Sequence, residues 1–366
     1  MSAHASLDNG DVTTRTSHPL IVHVIPYDDI GGVETAADSV PPGPYPAFEL
    51  RRIYVASVRE PRPRPYVYES GVGSENSPRA FARTLRHLLD LRPKVVIVSL
   101  WRSCIVGLAL KALRPRTRLV VFLHNVKHSN WVDSVLTRLA ARASDAILAD
   151  STCTAEQRLG RDWAPHVRPV SFLTSRLSQV TPLGPSPRFI TWGRLHPRKR
   201  IHLALDMFAL VHAKRRDARF TIIGPDRGER AMLEAKAADL GVEEAVEFAG
   251  PKSIEEIALA AEQASFFVQT SSFEGMGMAA VEAMQLGLVP VVTPVGEIGS
   301  YVEDGRNGVW FETPHKAAER VEELLGAPDE FLAMRQAATR TWNDHPLHRE
   351  DFLEACAMLA SEDDQR

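Results

Sequence analysis

Two glutamates, Glu274 and Glu282, lie eight positions apart in the stretch FEGMGMAAVEAM, residues 273–284. Eight residues span about 2.2 turns of an α-helix, so two acids on one helix would point in different directions. Gly275 and Gly277 indicate instead a loop that holds Glu274, followed by a helix that holds Glu282. The first amides of such a helix favour an anion. The two carboxylates can then face one cleft and accept hydrogen bonds from hydroxyl groups, such as those of a sugar.

Two basic side chains occur in the stretch WGRLHPRKR, residues 192–200, directly after a predicted strand. Arg194 and Lys199 are five residues apart across a turn that contains a proline, so both can reach one anion. Arginine offers a planar set of donors and lysine a compact charge, and this combination suits a diphosphate. The alternative, a solvated basic surface, is weaker here because the turn follows a buried strand directly.

Three further loops follow predicted strands and could approach a ligand through their backbone. They are YDDIGGVE (27–34) with Gly32, IIGPD (222–226) with Gly224 and Pro225, and FAGPKS (248–253) with Lys252. Each one alone is explained as well or better by an ordinary turn.

A histidine, His124, ends the apolar run RLVVFL and could reach a hydroxyl group in the same way, although a lone histidine is more often structural. With His128 it could mimic a metal-binding pair, but no third ligand is apparent, so we reject a metal site there.

The elements that must position these residues alternate along the chain. Short runs rich in valine, isoleucine and leucine, typical of strands buried on both faces, are separated by helical patterns in both halves. This order predicts an α/β protein with two Rossmann-like, doubly wound parallel-sheet domains that face each other across a cleft. The expected organisation is a disordered lead (1–18), an N-terminal domain (19–173), a linker rich in Pro, Gly and Ser (174–187), a C-terminal domain (188–345) and a C-terminal helix (346–366) that packs back toward the N-terminal domain.

The composition excludes several classes of protein. Cys104, Cys153 and Cys356 are too few and too scattered for a disulfide framework or a zinc site, which favours a reducing, cytoplasmic location. The first residues lack the basic and apolar regions of a signal peptide, and no apolar run approaches the roughly 20 residues of a membrane span. The chain contains no Asp-x-Asp, Walker A or HExxH motif, so a metal-bridged nucleotide site of the usual acidic kind has no evident ligands.

Charge is distributed unevenly between the two halves. Residues 1–180 contain 23 Lys and Arg against 16 Asp and Glu, whereas residues 181–366 contain 20 against 30. Within the basic half, residues 77–94 place Phe81, Leu85, Leu88 and Leu89 at helical spacing among arginines. The favoured interpretation is an ordinary amphipathic helix on its sheet, and the alternative is contact with an anionic membrane. Nucleic acid is not an expected partner, because few aromatic residues accompany the basic ones.

The loops of the second half resemble a known family. GRLHPRK, IIGPD, SSFEGMGMAAVEAMQLGLVPVVT and VEDGRNG are similar, in order and spacing, to the motifs of the retaining glycosyltransferases of family 4, which have the GT-B fold. The resemblance covers residues 188–312, and GGVE and FLHN carry a weaker similarity in the first half.

The resemblance implies a role for each matching residue. Arg194 and Lys199 would bind the donor diphosphate without a metal or another cofactor, Glu274 would bind the donor sugar, and Glu282 would bind the ribose hydroxyls. Gly32 and His124 would approach the acceptor and the donor from the N-terminal domain. The residues expected to be catalytic are His124, Glu274, Arg194 and Lys199. The other expected nucleotide- or donor-binding residues are Gly193, Gly224, Pro225, Lys252, Gly275, Met276, Gly277 and Met278.

The implied function is transfer of a hexose from a UDP- or GDP-type nucleotide sugar to a glycan or lipid-linked acceptor in bacterial cell-surface polysaccharide or lipopolysaccharide assembly. The implied location is the cytoplasm, at the inner face of the plasma membrane if the basic half contacts lipid. Two alternatives stay open: a GT-B-fold nucleotide-sugar epimerase and a non-catalytic nucleotide-sugar-binding scaffold. Two departures from the family pattern are the prolines after GGVE, which predict a short first helix, and the stretch TPVGEIGSYVEDG near the expected donor sugar.

Overall fold

The computed structural model describes residues 18–28, 32–57, 64–71, 74, 76–124, 128–179 and 184–361. Several predicted features lie partly or wholly outside these residues. They are the lead up to residue 17, Gly31, most of the Pro- and Arg-rich stretch 59–66, Asn125, part of the linker (180–183) and the last five residues.

The first sheet has eight strands in the order β2-β3-β1-β5-β6-β7-β8, with β4 paired to β3. The strands are β1 (Leu20–Asp28), β2 (Gly43–Pro44), β3 (Glu49–Ser57), β4 (Val67–Glu69), β5 (Val95–Ser99), β6 (Arg118–Leu123), β7 (Ala146–Ala149) and β8 (Val167–Pro169). β1 lies between β3 and β5 in parallel register, and β6 continues the sheet beside β5. Every residue of β5 is buried, which explains why its sequence lacks an alternation of apolar and polar residues.

Five helices connect these strands: α1 (Gly32–Asp38), α2 (Pro78–Leu91), α3 (Leu100–Leu113), α4 (Trp131–Ala143) and α5 (Thr152–Leu159). The expectation of a short first helix is confirmed, because α1 has seven residues and two prolines follow at 41 and 42. The side chain of Asn130 caps α4 by accepting a hydrogen bond from the amide of Asp133 at 2.9 Å. The side chain of Ser151 caps α5 in the same way, by accepting from the amide of Thr154 at 3.0 Å, so these two helices begin at fixed residues.

The second sheet has six strands in the order β11-β10-β9-β12-β13-β14. The strands are β9 (Arg188–Trp192), β10 (Arg219–Ile223), β11 (Val246–Gly250), β12 (Phe266–Gln269), β13 (Val289–Val292) and β14 (Val309–Trp310), and each neighbouring pair is parallel. The helices are α6 (Ile201–Lys214), α7 (Arg230–Asp239), α8 (Ile254–Ala261), α9 (Met278–Gln285), α10 (Ile298–Tyr301), α11 (Pro314–Gly326), α12 (Pro328–Asn343) and α13 (His348–Ser361).

Both faces of the second sheet are covered. Phe189 and Phe266 point into a core on one face, whereas their neighbours Ile190 and Phe267 point into a core on the other face. This alternation of buried side chains explains why the strands read as continuous apolar runs. The predicted fold class, two parallel Rossmann-like sheets with flanking helices, is confirmed.

The chain forms two compact units whose limits differ from the predicted division at 174–187. The first takes residues up to 122, residues 130–147 and the chain from Phe352 onward, and the second takes residues 123–129 and 148–351. Residues 148–173 group with the second unit because the amide of Ser171 binds the Asp351 carboxylate at 2.7 Å. The end of α13 groups with the first unit because Lys94 donates to the carbonyl of Ala360 at 2.9 Å.

Candidate active site

The Glu274 loop leaves the carboxyl end of β12 and enters α9 at Met278. The Glu274 carboxylate lies 2.7 Å from the ammonium of Lys199 and also accepts a hydrogen bond from the hydroxyl of Ser271. Both charged side chains are largely buried, with exposed fractions of 14% for Glu274 and 24% for Lys199. The loop therefore holds an acid and a base in contact at the end of the sheet, where ligands of doubly wound folds bind.

The turn that carries Lys199 is fixed to this loop by backbone contacts. Pro197–Lys199 form one turn of 3₁₀-helix. The hydroxyl of Thr270 donates to the carbonyls of Lys199 and Arg200 at 3.1 and 2.8 Å. The amide of Ser272 donates to the carbonyl of Arg198 at 2.8 Å. Because β9 and β12 are neighbouring strands, the two loops meet at the same edge of the sheet, and the Lys199–Glu274 pair follows from that register.

Arg194 begins the same turn and is exposed. Within the described part of the chain its guanidinium makes no side-chain hydrogen bond or ion pair. It borders a small cavity of about 10 Å³ together with Gly193, Lys199 and Thr270. The positive charge of Lys199 is balanced by Glu274, whereas the exposed guanidinium of Arg194 can bind an anion.

Two glycines keep the backbone next to Arg194 close-packed. A Cβ atom on Gly224 would lie 1.8 Å from the carbonyl oxygen of Gly193, so no other residue fits at 224 without movement of the chain. The amide of Gly193 binds the carbonyl of Ile223 at 3.0 Å, and that of Gly224 binds the carbonyl of Gly250 at 2.8 Å. The loops after β9, β10 and β11 therefore form one continuous edge.

Glu282 lies inside α9, about one turn after its first residue, Met278. Its carboxylate accepts a hydrogen bond at 2.8 Å from the indole N–H of Trp192, the last residue of β9. Burial raises the pKa of Glu282, and the Trp192 hydrogen bond and the charge of Lys199 oppose that effect. Glu274 and Glu282 thus both face the residues that end β9, although they belong to different elements.

The stretch that departs from the family pattern packs directly on the Glu274 loop. Gly296 has φ +62°, and a Cβ atom there would lie 2.3 Å from the carbonyl oxygen of Glu274. The amide of Glu297 donates to the carbonyl of Gly275 at 2.9 Å, and the Tyr301 hydroxyl donates to the carbonyl of Met276 at 2.8 Å. Burial holds the pKa of the Tyr301 phenol well above its usual value. These contacts fix the backbone that leads into α9.

The first amides of α9 have no side-chain cap. Gly277 is the N-cap residue in a left-handed conformation, and a Cβ atom there would lie 2.6 Å from a side-chain carbon of Ile298. The amides that begin the helix after it are thus available to an anion or to a ligand oxygen. That the backbone from Gly275 to Met278 serves a ligand stays a prediction.

His124 is buried at the end of β6, and its Nδ1 lies 2.9 Å from the carboxylate of Asp150. The next residue, Ser151, caps α5 and donates a hydrogen bond to the carboxylate of Glu297. His124, Asp150 and Glu297 belong to the same compact unit as the Glu274 loop. The Ser151–Glu297 hydrogen bond links the end of β7 to the stretch that packs on Gly275.

Three of the predicted site residues are either exposed or part of the first unit. Pro225 and Lys252 are exposed, and the ammonium of Lys252 lies 3.9 Å from the carboxylate of Glu256, in the helix α8 that follows it. Gly32 begins α1 in the first unit.

The sequence analysis did not identify Ser271, Trp192, Asp150 and Glu297. Three of them could have been found from their position at the end of a strand. Trp192 ends a predicted strand, Ser271 follows one, and Asp150 follows β7 as His124 follows β6. Polar groups at the carboxyl ends of neighbouring parallel strands are expected to meet. Glu297 had no such signal, because its partner Ser151 is distant in sequence.

Among the described residues, no group of three or more His, Cys, Asp or Glu side chains is placed to hold a metal ion. Within the same residues, no helix is long and apolar enough to cross a membrane.

Two family models match the chain in succession. Residues 18–171 match the glycosyl transferase 4-like domain, and residues 176–341 match glycosyl transferases group 1. Together the two models account for most of the chain.

Curated relatives are similar over part of their length. The GDP-mannose:cellobiosyl-diphosphopolyprenol alpha-mannosyltransferase of Komagataeibacter xylinus is 30% identical over 155 residues, which are 41% of this chain and 39% of that protein. The D-inositol 3-phosphate glycosyltransferase of Corynebacterium urealyticum is 30% identical over 154 residues, which are 40% and 36% of the two chains. The match thus spans less than half of each relative.

Two solved structures share the fold over nearly the whole chain. Anabaena Alr3699/HepE in complex with UDP has a TM-score of 0.74 at 16% identity and covers 93% of this chain and 100% of that one. The lipopolysaccharide outer core galactosyltransferase WaaB, in its apo form, has a TM-score of 0.69 at 19% identity and covers 92% and 99%. With the two family models and the Lys199–Glu274 loop pair, these similarities identify the chain as a member of the family 4 glycosyltransferases with the GT-B fold.

Proposed function

We propose that this protein is a retaining, metal-independent glycosyltransferase that transfers a hexose from a UDP- or GDP-sugar to a hydroxyl group of a lipid-linked glycan. The observation that carries the proposal is the cluster of Arg194, Lys199 and Glu274 at the carboxyl ends of β9 and β12. Lys199 pairs with Glu274 and shares a small cavity with Arg194, and the Glu274 loop leads into the start of α9.

In the proposed binding mode, contacts with the donor replace the ion pair between Lys199 and Glu274. A diphosphate carries more charge than one carboxylate and would draw Lys199 toward itself, with Arg194 as the second donor. Glu274 would then be released to accept hydrogen bonds from the hydroxyl groups of the sugar. Glu282, fixed by Trp192, would bind the ribose hydroxyls at the other end of the diphosphate.

Stabilisation of the departing diphosphate would supply most of the rate. Negative charge grows on the bridging oxygen as the glycosidic bond breaks, and preorganised cations and amides stabilise that charge without rearranging. The acceptor hydroxyl would attack from the face that the nucleotide leaves, so a protein nucleophile is not required. Arg194, Lys199 and the first amides of α9 would perform the role that a metal ion has in other nucleotide-sugar enzymes.

The named relatives support a nucleotide-sugar donor of the UDP or GDP type. One relative is named for GDP-mannose, and one structural neighbour was solved with UDP. The same relative is named for a diphosphopolyprenol-linked acceptor, which is a lipid-linked glycan. A lipid-linked acceptor implies work at the cytoplasmic face of a membrane, in cell-surface glycan assembly.

The surface best suited to membrane contact is on α4 rather than on α2. In α2, the Leu88 side chain is buried and no apolar side chain is strongly exposed, as in the interpretation of an ordinary packed helix. In α4, Trp131, Val135 and Leu139 are spaced by four residues and are 77%, 54% and 49% exposed. Arg138 and Arg142 are exposed on the same helix. An apolar stripe flanked by arginines fits an anionic lipid surface.

The activity is tested by incubating the protein with UDP-glucose or GDP-mannose, a polyprenol-linked acceptor and excess EDTA. We expect release of the nucleoside diphosphate and a new glycoside with the anomeric configuration of the donor, read by NMR. Inversion at the anomeric carbon, or activity that EDTA abolishes, would contradict the proposed mechanism. Conversion of the nucleotide sugar without release of the diphosphate would instead indicate the epimerase, and nucleotide binding without turnover would indicate the scaffold.

A further inference from the structure

A second cavity lies in the first unit, in a part of the sheet that the proposed reaction does not use. Its volume is about 460 Å³, within the range of sites that hold small ligands. It is lined by the first residues of β3 and β4 and by the last turn of α2. It therefore lies at the amino ends of the strands, whereas ligands of doubly wound sheets bind beyond the carboxyl ends.

The wall of this cavity combines aromatic rings with hydrogen-bonding groups. The rings of Tyr68 and His87 stack on each other at 3.8 Å, and Tyr66 stands at the rim with 41% of its surface exposed. Arg52 also lines the cavity, and its buried Nε has no hydrogen-bond partner within the described part of the chain. Its other guanidinium nitrogens donate to the carboxylate of Asp38 and to the carbonyls of Ala37 and Val40, so the Arg52 side chain is fixed within the wall of the cavity.

The charges around the cavity are already balanced. Arg51 binds the Glu49 carboxylate at 2.6 Å, and Arg52 binds the carboxylate of Asp38 at 3.2 Å. Burial and the charge of Arg51 lower the pKa of His87, which favours the neutral form of the ring. Two cations matched by two anions favour a neutral ligand over a phosphate, and tyrosine rings offer the flat surface that the C–H face of a sugar covers.

Tyr66 is held in a conformation that a bulky residue rarely adopts. Its φ is +61°, and its carbonyl accepts a hydrogen bond from the amide of Arg52 at 3.0 Å. This hydrogen bond keeps the end of the Pro- and Arg-rich stretch 59–66 against β3, so that the Tyr66 ring stays at the cavity. Left-handed backbone at a non-glycine residue is often found where a ligand is held.

From this geometry we propose that the cavity between β3, β4 and the end of α2 is a second carbohydrate site that binds a neutral mono- or disaccharide unit of the acceptor glycan. That the sugar belongs to the acceptor rests on the proposed function. Its binding, in contrast, requires only the residues that line the cavity. The site would hold a part of the glycan that is remote from the reacting hydroxyl.

The test is saturation-transfer NMR on the full chain without nucleotide. The probes are the methyl glycosides of glucose, galactose and mannose, together with cellobiose, each at millimolar concentration. Tyr66→Gly removes the ring and also the left-handed strain, so the variant is expected to fold. Arg92→Gly is the matched control, because Arg92 also has a positive φ, of 52°, and does not line the cavity.

We expect at least one sugar to bind the wild type and the Arg92→Gly variant, and to bind Tyr66→Gly at least roughly tenfold more weakly, about 1.4 kcal/mol. Inorganic phosphate should not compete. Absence of sugar binding, equal binding by Tyr66→Gly, or displacement by phosphate would each overturn the proposal. Titration with UDP and GDP separates the two claims, because loss of nucleotide binding with retained sugar binding would contradict the proposed function alone.

Discussion

The ammonium of Lys199 lies 2.7 Å from a carboxylate oxygen of Glu274, so the two charges proposed to bind opposite parts of the donor form an ion pair with each other. This contact joins the loop after β9 to the loop after β12. In the proposed complex, Lys199 would bind the diphosphate and Glu274 would bind the sugar, in place of their contact with each other. Because each side chain becomes available only when the other leaves it, binding of the diphosphate and binding of the sugar would be coupled.

Glu274→Gln should lower the turnover number by roughly 100-fold or more, because the amide keeps the shape of the side chain but loses the charge that binds the sugar hydroxyls. Nucleoside diphosphate affinity should stay the same or rise, since Lys199 no longer has to leave a carboxylate. The measurements are steady-state kinetics and calorimetry. Glu303→Gln, which changes an exposed surface glutamate paired with Arg306, is the control, and a Glu274→Gln variant as active as this control would remove Glu274 from the site.

Gly296→Ala should impair transfer more than Gly305→Ala does. Both glycines have a left-handed φ, +62° and +73°, so each alanine costs about 1 kcal/mol of unfolding free energy from backbone strain. Only at Gly296 would the new Cβ meet the carbonyl of Glu274, at 2.3 Å, whereas nothing lies within 4 Å of the Cβ at Gly305. Equal kinetics and equal urea midpoints for the two variants would show that the contact of Gly296 does not position the Glu274 loop.

Glu282→Gln should become more stable relative to the wild type as pH rises. Burial raises the pKa of Glu282 above the usual 4.5, so its contribution to stability is full below pH 4.5 and is lost as pH rises through the folded-state pKa. Glutamine can still accept the Trp192 hydrogen bond and does not titrate. Urea unfolding from pH 4.5 to neutrality checks this, and a stability difference that stays constant or shrinks would be inconsistent with a raised pKa.

Replacement of Trp131 by alanine together with Val135 and Leu139 by serine should weaken binding to phosphatidylglycerol vesicles by roughly tenfold or more, because the exposed stripe of α4 loses its apolar surface. Replacement of Arg138 and Arg142 by glutamine should remove about 1 kcal/mol each and reduce the salt dependence. Vesicle sedimentation is the measurement.

The control for this experiment is Leu259→Ser, which changes a residue that is 64% exposed in the second unit. If the α4 variants sediment with vesicles as well as this control does, the membrane contact does not use α4.

Much of the fold could be predicted because the signals are local. The prolines after GGVE predict the short helix α1 that is observed, and the continuous apolar runs predict strands buried on both faces, as in β5. The short strands β2 and β4 were missed, since two or three residues on the edge of a sheet carry no recognisable pattern. Their positions depend on pairing with β3.

The sequence indicates residues of the candidate site but not the contacts between them. The glycines around Glu274 and the turn at Arg194 are visible in the sequence, because each follows an apolar strand. The pairing of Lys199 with Glu274 depends on β9 and β12 being neighbours, although β10 and β11 lie between them in the chain. The exposed stripe of α4 was missed because an apolar residue every fourth position also predicts a buried face.

The most direct test of the account is calorimetric titration with UDP, GDP and ADP, in the presence of EDTA, of the wild type, the Arg194→Ala/Lys199→Ala variant and the Arg198→Ala control. Arg198 lies in the same turn and is exposed. We predict that UDP or GDP binds the wild type and the control, and that the double variant loses several kcal/mol of binding free energy, roughly 1.5–3 kcal/mol for each charged contact. Undiminished affinity in the double variant would contradict the assignment of Arg194 and Lys199 to the diphosphate.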